Sequence, residues 1–92
     1  MNYSENFIIA SFRSRSAVQK YASALRTRGV NCRLISTPKE VAIGCGLSVR
    51  FEPSALHTAM TEYKTGRHSG LIGFYQVSRT GSRTTVQPIG VM

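Results

Sequence analysis

A chain of 92 residues, 41% of them hydrophobic, makes one domain, because a chain this short cannot divide its burial between two cores. Twelve Lys and Arg against four Asp and Glu give a net charge of +8, which points to anionic partners or, since the basic residues are scattered, to a solvated basic surface. No apolar run reaches the roughly 18 residues of a membrane span, and the first six residues lack the basic and apolar segments of a signal peptide; the chain reads as cytoplasmic, with no membrane partner.

Phe7-Ile-Ile-Ala-Ser-Phe12 is a run of strand length, closed by the polar turn Arg13-Ser-Arg-Ser16. Ser16 is placed to cap a helix whose apolar stripe is Ala17, Val18, Tyr21, Ala22 and Leu25, ending at Gly29 after a basic last turn. Val30, Cys32 and Leu34 alternate with polar positions and predict a second strand with Cys32 as a small core residue. Pro38 bars a continuation, and Lys39 to Ile43 has room for one helical turn. Leu47, Val49 and Phe51 alternate with Ser48 and Arg50 as a third strand.

After Pro53, the positions Ala55, Leu56, Ala59, Met60 and Tyr63 repeat the spacing of the first stripe at an offset of 38 residues. Leu71 to Val77 closes this second unit as a fourth strand. Strand, helix, strand written twice predicts an α+β, ferredoxin-like split βαβ fold (βαββαβ). Its four-stranded antiparallel sheet has the order 4-1-3-2, with both helices on one face. Residues 1–78 form that domain, and residues 79–92 are expected as a basic tail, flexible or loosely docked. The first strand is apolar on both faces, so the helix-free face needs a cover: Val86, Ile89 and Val91 of the tail, or a second copy in a homodimer.

Cys32 and Cys45 are too far apart for a Cys-x-x-Cys pair, and with no export signal both are expected as thiols. The predicted topology carries Cys45 to the end of the sheet where the first helix begins. Arg13, Arg15, Lys39, Arg67 and His68 are expected to gather there, with Arg50 on the neighbouring strand. A helix N-terminus and basic side chains favour thiolate, the form that accepts a sulfur atom or attacks a disulfide. Gly44 and Gly46 let a partner approach the backbone. The competing reading is a packed cysteine, since Cys is among the most buried residue types.

Cys32, Cys45, His57 and His68 lack metal-ligand spacing, and no cofactor, hydrolase, kinase or dinucleotide signature is present. The charge and the fold also suit a nucleic-acid-binding or anion-binding regulatory module that dimerises through its open sheet face, although the third strand offers Ser48 and Arg50 on that face and no aromatic residue there for base stacking.

Pro38-Lys-Glu followed by Cys45-Gly-Leu-Ser-Val-Arg-Phe51 before a helix resembles the selenium/sulfur carrier-like family. So do the N-terminal strand with its Ser/Arg turn and the helix ending in Gly29-Val. The resemblance runs from about Phe7 to Tyr75, and the tail from Arg79 lies outside it. It implies a non-enzymatic carrier that holds a persulfide or selenopersulfide on Cys45, between a donor enzyme and an acceptor protein.

Overall fold

The computed structural model describes residues 4–41 and 44–90. Its elements are β1 (Ser4–Phe12), α1 (Arg15–Thr27), β2 (Cys32–Ser36), β3 (Leu47–Phe51), a 3-10 turn (Pro53–Ala55), α2 (Leu56–Thr65), β4 (Leu71–Thr80) and β5 (Arg83–Ile89). The sheet is antiparallel throughout, in the order β2-β3-β1-β4-β5. The first four strands thus stand in the expected order, but the sheet has five strands.

The fifth strand is the segment expected as a loose tail. Gly81 and Ser82 make a two-residue turn, and Arg83 to Ile89 pairs back along β4 from Thr80 to Phe74, so the sheet continues across the expected domain boundary at residue 78. A glycine-led two-residue loop between β-forming segments is a hairpin signal, and Pro88 is tolerated because β5 is an edge.

Both helices lie on one face. Ile8, Ala10, Phe12, Val49, Phe51 and Phe74 from the strands meet Val18, Tyr21, Ala22, Leu25 and Ala59 from the helices in one buried cluster. Each large apolar side chain buried there contributes roughly 1.5–3 kcal/mol. The aromatic rings interlock: Phe74 meets Tyr21, Phe51 and Tyr63 edge-on, with centroids 6.2–6.5 Å apart. The sequence repeat is unequal in packing. α1 buries four residues of its stripe, whereas α2 fully buries Ala59 alone, because Pro53 opens a 3-10 turn that delays the α-helix to Leu56. The cap of α1 is Ser14, whose hydroxyl accepts from the Ala17 N–H at 3.2 Å, two residues earlier than the expected Ser16.

The helix-free face carries a second cluster, Phe7, Ile9, Val41 and Val77, with Val86 packed beside it. Its cover differs from the expectation. Val41, from the β2–β3 connection, closes over it, while Ile89 packs toward the helix side. Val91, and the Ala42 and Ile43 part of the expected helical turn, lie outside the described residues; Pro38 to Val41 forms a single turn closed by Val41 N–H to Pro38 O at 2.9 Å. Phe7 is completely buried, and the Arg50 guanidinium lies 3.8 Å from its ring centroid. Neither a second copy nor stacked bases are needed to bury it.

Candidate functional site

The β2–β3 connection returns to the sheet at the end of β1. The Cys45 N–H donates to Phe12 O at 3.4 Å, and the Thr37 N–H donates to Gly46 O at 2.9 Å, so the loop around the cysteine is tied to β1 and to the end of β2. Gly44 has φ +116°, and a Cβ on it would lie 2.9 Å from Phe12 O and 2.7 Å from Ile72 Cδ1. That close approach requires glycine. Gly46 also has positive φ, +86°, but with open space around it.

Cys45 is half-buried, packs its flank against the helix-side core, and its thiol points to Leu47 O at 3.7 Å. Cys32 is the buried alternative: 9% exposed, with its sulfur 3.5 Å from Ala22 O and its pKa pushed up by burial. Both are free thiols.

Phe12 O stands two residues before the α1 cap, so Cys45 reaches the β1–α1 junction, as the topology requires. On the other side of that junction the Arg13 N–H donates to Gly70 O at 2.8 Å, which brings the segment ahead of β4 alongside. Arg13, Arg15 and Arg67 are exposed, and their side chains form no ion pair among the described residues. Lys39 is exposed in the Pro38–Val41 turn. The thiol's hydrogen-bond partner is a backbone carbonyl.

Two expected site residues are occupied elsewhere. Arg50 is drawn to the open face by Glu5, Nη2 to Oε2 at 2.9 Å, over the Phe7 ring. His68 is buried, its side chain 2% exposed, with Nε2 2.7 Å from Glu62 Oε2 and its ring edge-on to Tyr21. Glu62 also receives Arg28 Nε at 2.6 Å; the Arg28 hydrogen bond first, and His68 second, hold its carboxyl below the usual range.

Sequence reasoning missed a chain of hydroxyls beneath the loop. Ser48 Oγ lies 2.7 Å from Ser11 Oγ and 2.6 Å from Thr37 Oγ1. Ser11 and Ser48 are buried at the end of the sheet to which Gly46 is tied. The alternation of Ser48 with Leu47 and Val49 put it on the helix-free face, but its partners lie on two other strands' ends and carry no local signal.

Among the described residues, no group of three or more His, Cys, Asp or Glu side chains converges to hold a metal, and no helix is long and apolar enough to cross a membrane. Comparison with curated proteins and with solved structures yields no match. A family model described as "Putative Se/S carrier protein-like" matches residues 7–67, from the buried part of β1 through α2, with Cys45 inside the span. The match covers more than half of the chain, and by it the protein belongs to the Se/S carrier protein-like family.

Proposed function

We propose that the protein is a non-enzymatic carrier that holds a sulfur or selenium atom on Cys45 and passes it between a donor enzyme and an acceptor protein. The observation that carries this reading is the contrast in setting: Cys45 is half-buried on a glycine-flanked loop, whereas Cys32 is 9% exposed in the core, with its sulfur 3.5 Å from Ala22 O of α1. The family membership supplies the cargo.

The transfer balances without an external oxidant. Deprotonated Cys45 attacks the outer sulfur of a donor cysteine persulfide, R–S–SH. The donor's S–S bond breaks, R–S⁻ leaves and takes up the proton that Cys45 lost, and Cys45 becomes Cys–S–SH. A selenium atom moves in the same way from R–S–SeH. A nucleophile on the acceptor then takes the terminal atom, and Cys45 departs as thiolate. The unpaired Arg13, Arg15 and Arg67 near the junction suit an acidic donor surface, through long-range attraction rather than contact with the sulfur.

The test is intact-protein mass spectrometry after incubation with a cysteine desulfurase and cysteine. Wild type and Cys32→Ala should gain one sulfur atom, roughly 32 Da, and Cys45→Ala should gain none. Equal adducts on wild type and Cys45→Ala would defeat the sulfur form of the proposal; the same incubation with a selenium donor reads the other cargo.

A further inference from the structure

Three hydroxyls join β1, β3 and the residue that follows β2: Ser11, Ser48 and Thr37. Each has one proton to donate. Ser11 is 1% exposed, and among the described residues its hydroxyl meets Ser48 Oγ alone, at 2.7 Å. Ser48 is fully buried between Ser11 and Thr37, with Thr37 Oγ1 at 2.6 Å. If donation ran inward from Thr37, the last proton, on Ser11, would stay in the core without an acceptor, at the desolvation cost of an unsatisfied buried donor. Run outward, Ser11 donates to Ser48 and Ser48 donates to Thr37, which is half-buried and turns its own proton toward solvent. The outward order alone leaves no buried proton unmatched.

The chain stands against both ties of the Cys45 loop. Ser11 precedes Phe12, whose carbonyl accepts from the Cys45 N–H, and the N–H of Thr37 itself donates to Gly46 O at 2.9 Å. Ser48 pairs across the sheet with Ser11 and with Ile35. The Cys45 N–H bond, at 3.4 Å, is long for its type and weak. Gly46 adds no side chain to pack, and a Cβ there would meet nothing within 4 Å. The loop therefore depends on the strand ends beneath it, which the three hydroxyls link.

We propose that Ser48 and Thr37 are positioning residues for Cys45, acting through the ordered chain Ser11 to Ser48 to Thr37. This rests on the carrier reading. A macromolecular donor must meet the sulfur in one orientation, so transfer from it depends on a fixed loop. A small disulfide approaches from any open side and makes no such demand.

The experiment measures amide hydrogen exchange by NMR and, on the same variants of the full chain, the rate of sulfur loading from a cysteine desulfurase. Thr37→Val keeps the shape of the side chain and strands the Ser48 proton. It should speed exchange at the N–H groups of residue 37 and Cys45 roughly tenfold, with Ala22 in α1 and Val77 in β4 unchanged. Loading should slow roughly tenfold or more, while reaction of Cys45 with a small soluble disulfide should not slow. Thr37→Ser retains the acceptor and should match wild type. Ser11→Ala removes only the first donor of the chain, so it should stay near wild type too. Ser11→Ala as damaging as Thr37→Val would overturn the proton order. Equal speeding at Ala22 and Val77, or wild-type loading by Thr37→Val, would overturn the positioning role. Wild type that takes up no sulfur while the amide pattern holds would defeat the carrier reading and leave the hydroxyl chain standing, so the two failures are distinct.

Discussion

Cys32 and Cys45 present the same side chain in two settings. Each sulfur faces a backbone carbonyl, Ala22 O at 3.5 Å and Leu47 O at 3.7 Å, so the immediate partner does not distinguish them. The backbone path does. Cys32 opens β2, pairs with Phe51 and is pressed between the sheet and α1, and burial there favours the neutral thiol. Cys45 rides on a loop between two positive-φ glycines that one hydrogen bond ties to Phe12. Accessibility is thus set by how the chain arrives at each residue, not by the residue type.

The largest effect that sharpens this contrast is thiol labelling of the folded protein. Cys45 should react with a soluble disulfide or iodoacetamide at least roughly a hundredfold faster than Cys32, which must wait for local opening. Peptide mapping of a time course reads both rates, and comparable rates would erase the distinction. Next in size is Gly44→Ala. Positive φ combined with a Cβ 2.9 Å from Phe12 O predicts a loss of about 2–4 kcal/mol in urea unfolding. Gly46→Ala, strained in φ alone, should lose about 1–2 kcal/mol. Equal losses would mean that the approach to β1 does not hold the loop.

The smallest effect is a pH dependence at Cys32. The folded-state pKa of Cys32 is raised, so its stabilising contribution is fully present below the ordinary thiol value near 9.0 and is lost as pH rises through the raised value. Cys32→Ala should therefore be less stable than wild type by about 1–2 kcal/mol at neutral pH. That gap should narrow above pH 9.0. A gap independent of pH would mean that the thiol is not sealed.

Much of this arrangement is legible in the residues. The alternation of Leu47, Val49 and Phe51, the stripe of α1 and its echo in α2 led to the first four strands and their order, because these are local periodicities. The fifth strand was legible as well. Thr80-Gly-Ser-Arg83 is a two-residue hairpin loop between segments with β-branched residues, and its polar composition concealed a short exposed strand. The α1 cap is a different kind of miss, since Ser14 and Ser16 both satisfy the local rule and only the end of β1, at Phe12, decides between them.

At the candidate site the same division holds. A glycine-flanked Cys45 at the start of a strand and a basic turn ahead of α1 stand in the sequence. The destinations of Arg50 and His68 do not. Arg50 reaches Glu5 across 45 positions, and His68 is drawn under Tyr21 by Glu62 on α2. The hydroxyl chain of Ser11, Ser48 and Thr37 likewise exists only once three strand ends meet.

By itself, then, the sequence determined the elements, the repeated βαβ order and the identity of the one thiol placed on a loop, because hydrophobic period, turn chemistry and handedness act between neighbours. The tertiary structure alone decided which cations stay unpaired, what covers Phe7 and Ile9, and how closely Gly44 and Cys45 lie against β1. Those outcomes depend on charge pairing and contact across the sheet, whose partners are far apart in the chain and are chosen only when the strands and helices pack.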